Sequence, residues 1–354
     1  MKKMISVAAL VLCFAAAACK EENTTASTSA DDRLGAKLQA YVVCINRIDS
    51  TFRTKYPSYR EFFDLQLEAL NPKPASNDPT ERMAQIRKQY PKIGRDTYRR
   101  GAGFKIAVFE TNNEFTRGCA DGLKKAVADA PADADLDRIG AVYAETLTKL
   151  IPIMNAADSY YKQEDDRDDH MVKGKAFDTE LAPLFTTLLA AGDEMRSVVA
   201  NRKEALQVRR LDELEKTKGK TFEWQAENAM LQARHAVDGV REALDSEPPS
   251  TEKVLANEQK LQAAYDAAKA YGDAHQDEKT SRGNKPTWFY LESNVSNVLT
   301  QIKDLRRKLT ASNGDSAKSK AGQNSTEDLG RSFDRIISDY NSLVEQYNRF
   351  ANIH

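Results

Sequence analysis

Asp165, Asp166, Asp168, Asp169 and His170 fall within six residues, inside the stretch YYKQEDDRDDHMVKGK that runs from Tyr160 to Lys175. Carboxylates at that density are hard oxygen ligands that could hold calcium, and a histidine beside them could extend the choice to zinc. A calcium loop of the helix–loop–helix type needs oxygen ligands at alternate positions, glycine sixth and glutamate twelfth. Counting from Asp169 places Gly174 sixth and Glu180 twelfth, but Met171 and Lys173 then stand third and fifth, where ligands belong. Zinc would want several His or Cys ligands, and only His170 is local. Lys162, Arg167, Lys173 and Lys175 also dilute the negative field. The stretch therefore reads as a solvated helix–helix connection. Its acids lie near the start of the following helix, where the helix dipole favours them.

No other segment offers a catalytic constellation. There is no Gly-rich phosphate loop, no paired metal-ligand spacing and no G-x-S-x-G turn. His235, His275 and His354 stand in unrelated contexts and read as surface residues. The sequence thus supplies no catalytic, cofactor-binding or metal residues and implies no cofactor. Asp and Glu total 53, however, so a fold could assemble a carboxylate pair without leaving a motif. A hydrolase or metal-dependent enzyme built from scattered carboxylates is the second functional reading.

The elements around these residues begin with an export signal. MKKMISVAALVLCFAAAAC opens on Lys2 and Lys3, continues as a short apolar run, and ends in small residues before Cys19. This is the secretory pattern, with a cysteine where a lipoprotein signal is cut and its new N-terminus acylated. We expect residues 1–18 to be removed, Cys19 to be lipidated, and the polar run 19–32 to form a flexible tether. Lys20 follows the cysteine, where an aspartate is often associated with inner-membrane retention, so in a cell with an outer membrane that membrane is the expected address; we expect the body to face the periplasm. Removing Lys2 and Lys3 moves the net charge from -1 to about -3. Such a balance gives no reason to propose nucleic acid as a partner. A basic stretch at 87–105, carrying Arg87, Lys88, Lys92, Arg95, Arg99, Arg100 and Lys105, could offer an anion-binding face but reads first as a solvated connection.

Of four cysteines, Cys13 leaves with the signal and Cys19 takes the lipid, which leaves Cys44 and Cys119. Both sit within helical stripes: Leu34, Leu38, Tyr41, Ile45, Ile48 and Phe52 around the first, and Phe104, Val108, Phe115, Leu123 and Val127 around the second. Two core-facing thiols in an oxidising compartment predict a disulfide, with two buried free thiols as the alternative.

The remaining chain reads as an all-α, elongated multi-helix bundle over residues 33–354. One helix is expected over 135–163, about 40 Å long and kinked at Pro152. Others are expected from near Phe177 to Lys216, over 221–244 and over 251–271, with a loop at 272–286. Leu291, Val295, Val298, Ile302, Leu305 and Leu309 recur at steps of 4, 3, 4, 3, 4. Leu329, Phe333, Ile336, Tyr340, Leu343, Tyr347 and Phe350 recur at 4, 3, 4, 3, 4, 3. These are heptad seams, joined through a loop of flexible composition at about 311–325. An antiparallel pair inside the bundle is the economical arrangement, and pairing between chains is the alternative.

Three runs, KLQAYVVCINRIDSTF, LIPIMNAADSYYKQEDDRDDHMVKGK and DYNSLVEQYNRF, together resemble the YiiG-like bacterial lipoproteins, a family with a domain of unknown function. The resemblance spans roughly residue 36 to the C-terminus. It implies an all-helical, lipid-anchored envelope protein and supplies no catalytic residues. The first functional reading is therefore a non-enzymatic binding or envelope-organising module, membrane-bound through its N-terminal lipid and able to take an envelope protein partner. The oligomeric state is left open.

Overall fold

The computed structural model describes residues 29–70, 113–247, 249–279, 285–314 and 322–350. These residues are helical with short connections and fall into two compact units, Ser27–Asn201 and Arg202–His354, where the sequence suggests one bundle domain. The signal, Cys19, most of the tether and the basic stretch 87–105 lie outside the described residues. Among the described residues no helix is long and apolar enough to cross a membrane.

The N-terminal unit opens with α1 (Ala30–Cys44). Ser29 caps it: its Oγ accepts from the Asp32 N–H at 3.0 Å, and Asp32 Oδ2 accepts from the Ser29 N–H at 3.2 Å. This reciprocal pair corrects the tether boundary, since Ala30, Asp31 and Asp32 belong to the helix. A π-helical turn, Ile45–Asp49, joins α1 to α2 (Ser50–Leu70). Helix α3 (Asn113–Ala128) packs on α1 and on α4 (Ala134–Gln163). The α4 stripe Leu136, Ile139, Tyr143, Leu147, Leu150, Met154 and Ala157 is buried, and the helix continues through Pro152. Helix α5 (Val172–Lys218) starts five residues before the expected position and supplies both units, the boundary falling at Asn201.

Cys44 and Cys119 are joined by a disulfide, with Cα atoms 5.2 Å apart and a separation of 75 residues. Both are buried, as the stripes require. In the chain-entropy account, closing a loop of that length contributes about 4 kcal/mol.

The C-terminal unit combines the end of α5 with α6 (Phe222–Asp245), α7 (Thr251–Ala274), α8 (Trp288–Gly314) and α9 (Gly322–Phe350). Gly219, with φ +75°, takes the left-handed conformation that ends α5, its N–H reaching Glu215 O at 3.1 Å. Helix α6 is buried on most sides because Ala226, Ala229, Ala233, Ala236 and Ala243 let α7, α8 and α9 approach it. All six seam residues of α8 are fully buried. Thr287 Oγ1 meets Phe350 O at 3.3 Å and Lys308 Nζ meets Ser332 Oγ at 2.8 Å, so α8 and α9 run antiparallel. Both helices extend into the expected loop, covering residues 311–314 and 322–325, while its middle lies outside the described residues. Likewise α7 continues to Ala274, three residues into the expected loop at 272–286.

Candidate functional site

The Asp-rich stretch is folded as a connection that caps a helix. Helix α4 ends at Glu164, which is left-handed at φ 64° and whose N–H reaches Tyr161 O at 3.3 Å. One helical turn follows, Asp165–Asp168, and then His170 (φ 50°) and Met171 (φ 66°) reverse the chain into α5. Three non-glycine residues in this region are a local strain that surrounding contacts must hold. Asp169 supplies two of them: Oδ2 accepts from the Lys173 N–H at 3.1 Å and Oδ1 accepts from Tyr160 Oη at 2.6 Å. The first contact caps α5, and this is why the helix begins at Val172. Burial works to raise the Asp169 carboxyl, but hydrogen bonds from Tyr160 and the following backbone outweigh it and hold it below the usual carboxylate range. Asp166 is buried, and desolvation pushes it above that range. The neighbouring carboxyls are therefore displaced in opposite directions by their surroundings. Among the described residues no three His, Cys, Asp or Glu side chains converge as a metal site.

A second polar cluster lies inside the N-terminal unit. Asp49, the last residue of the π-helical turn, is fully buried. Its Oδ2 accepts from Arg53 Nε at 2.7 Å and from Arg196 Nε at 2.8 Å, and Arg196 Nη2 makes a further contact. Arg53 also reaches Leu189 O at 3.1 Å and Asp193 Oδ1 at 2.8 Å. A Cβ on Gly192 would collide with Asp49 Oδ1, so glycine lets α5 come this close to the carboxylate. Burial, and next the Asp49 charge, push the Tyr143 hydroxyl well above its ordinary range. Burial opposes the Arg53 charge, but the bond to Asp49 and its negative charge raise that guanidinium overall. The Asp49 carboxylate is held between two guanidiniums carried by different helices. It is well suited to lock the π-helical turn, α2 and α5 in register.

Glu227 and Glu258, also buried, are matched in the same way. Glu227 receives Arg210 Nη2 at 3.2 Å and the Tyr347 hydroxyl. Glu258 holds Arg306 through two contacts, 2.6 and 3.2 Å. His235 Nε2 lies 3.0 Å from Glu204 Oε1, and His275 Nδ1 lies 2.8 Å from Tyr271 O; His354 falls outside the described residues. An open, mostly apolar cleft of about 300 Å³ lies between α3 and α4, lined by Val127, Ala141, Ala144 and Thr148 with Lys124, Glu145 and Lys149.

The family model described as "Protein of unknown function (DUF3829)" matches residues 32–349, nearly the whole folded chain. The chain belongs to that family. It is similar to the "Uncharacterized protein YiiG" of Escherichia coli (strain K12), with 24% identity over 230 residues. That match covers 65% of this chain and 62% of YiiG. No solved structure matches. The family assignment bears out the resemblance carried by the three sequence runs, and the all-helical fold agrees with it.

Sequence reasoning missed the Asp49 cluster. One signal was legible: Asp49 follows Ile48 directly and lies four residues before Arg53, so a carboxylate interrupts an apolar stripe with a partner one turn away. Arg196, 147 positions further on, left no such signal.

Proposed function

We propose that the protein is an exported lipoprotein, held to the envelope by acyl chains on Cys19, whose helical body binds a partner or organises the envelope and performs no catalysis. The observation that carries this reading is the buried Cys44–Cys119 disulfide, a bond that persists in oxidising compartments. It agrees with a leader that has the charge, length and small-residue ending of a secretory signal. The matching of buried Asp49, Glu227 and Glu258 to arginines supports a structural use of those carboxylates over a catalytic one. Lys20 after the cysteine supports residence at the outer membrane, and we place the body on its periplasmic side.

The test is metabolic labelling with palmitate in the wild type and in Cys19→Ser. Label in the wild type and none in the variant, with the variant left unprocessed or released, is the expected result. Equal incorporation in both would refute the lipid anchor. Crosslinking in intact envelopes followed by affinity capture then asks for a dominant protein partner.

A further inference from the structure

Arg202–His354 contains eleven Phe, Trp and Tyr residues. Nine lie within about three turns of one end, where α5 and α9 finish, α6 and α8 begin and α7 terminates. The ring contacts knit these termini together: Phe222 meets Tyr271 at 4.8 Å and Phe289 at 5.2 Å, and Tyr290 stacks on Phe350 at 3.9 Å. Only Phe333 and Tyr340 lie elsewhere. Closing the bundle needs the innermost rings, and Trp288 and Phe222 are buried there. Trp224, Tyr271, Phe289, Tyr290 and Phe350 are only partly buried, Tyr271 and Phe289 packing one side against that core.

Lysines accompany these rings. Lys220 Nζ sits 4.8 Å from the Trp224 ring centre and Lys285 Nζ sits 5.4 Å from that of Phe289. Lys216 and Lys218 join Lys220 around the Gly219 turn, where Glu223 pairs with Lys218 at 2.9 Å and Glu215 with Lys220 at 3.4 Å. Protein–protein interfaces favour aromatics but are depleted in lysine. Partly exposed rings with lysines over them are instead the composition of the boundary between acyl chains and headgroups, where rings bury and ammoniums stay at the phosphates.

We propose that this aromatic end of the C-terminal unit is a membrane-contact surface that settles into the headgroup boundary of an anionic bilayer. The proposal rests on the reading of the protein as membrane-attached, but its test does not use the lipid. The mature Cys19→Ser chain, residues 19–354 produced without the signal and carrying no acyl group, is mixed with phosphatidylglycerol–phosphatidylcholine vesicles or with pure phosphatidylcholine vesicles. Trp224 and Trp288 are the chain's two tryptophans, and Trp288 is already fully buried, so a change in emission or acrylamide quenching reports Trp224. The expected result is co-sedimentation with the anionic vesicles and a blue-shifted, shielded Trp224. Lys220→Ala and Lys285→Ala should each weaken binding about five-fold. Absence of binding, equal binding to both vesicles, or binding unmoved by the two substitutions would overturn the proposal. So would shielding of Trp224 by protein concentration alone, which would assign the end to a second copy. Palmitate labelling of Cys19 is read separately, so failure of the anchor and failure of this surface are distinguishable.

Discussion

The two units reach stability by different means. Ser27–Asn201 relies on features that each need particular residues: a disulfide, a buried carboxylate between two arginines, a π-helical turn, and a strained reversal capped by Asp169. Even Lys37 is buried there, its ammonium held by Asp137 at 2.6 Å and by the carbonyls of Asp129 and Pro131 at 2.9 Å. Arg202–His354 relies mainly on repeated apolar seams and on alanines that let helices approach. Specific polar locks suit a unit whose chain changes direction sharply. Heptads suit one built around an antiparallel helix pair.

Both tryptophans belong to the C-terminal unit, so their fluorescence follows that unit, while amide exchange resolved to peptides of Ser27–Asn201 follows the other. The sharpest attempt to break the contrast is Asp49→Ala. It leaves two guanidiniums facing a buried gap, and we expect a loss of about 5 kcal/mol in denaturant unfolding of the N-terminal unit, the top of the range for such deletions. A loss under about 1 kcal/mol would show that the cluster is not a lock. Replacing Cys44 and Cys119 together with serine should cost about 4 kcal/mol by the same measurement. In the C-terminal unit, Ile302→Ala empties part of the α8 seam and should cost about 3 kcal/mol, read by tryptophan fluorescence.

Smaller effects separate the acids of the connection. Asp169 has a depressed folded pKa, so its contribution is present above the unfolded value and lost as pH falls through the folded one. Asp169→Asn should therefore lower the melting temperature at neutral pH, with the difference closing in acid. Asp166 has a raised pKa, so its stabilisation is present below the unfolded value and lost as pH rises through the folded one. Asp166→Asn should accordingly hold or raise the melting temperature at neutral pH, and a drop there would contradict the desolvation account. Asp165→Asn with Asp168→Asn should move stability by less than about 0.5 kcal/mol, and near-millimolar calcium, magnesium or zinc should leave the wild-type melting temperature unchanged.

Periodicity determined most of this protein's local structure. The seams of α8 and α9, the stripe of α4 and the inward settings of Cys44 and Cys119 all follow from apolar residues recurring every three or four positions, because burial of one helical face is decided by neighbours within a few turns. Failure of the ligand spacing around Asp169 was likewise legible in the residues themselves. Helix boundaries were legible only in part: the expected tether ran to residue 32, into a helix that Ser29 and Asp32 cap, and the early start of α5 depends on Asp169 bonding at once to Lys173 and to Tyr160 on the preceding helix. Tertiary structure alone decided that Asp49 meets Arg196, that Gly192 makes room for the carboxylate, and that the body forms two units. Those facts join residues 143 or more positions apart, or depend on summed packing across several helices. A local pattern carries no record of which distant side chain will complete a buried charge, because many surface arginines could do so and only the folded geometry selects one.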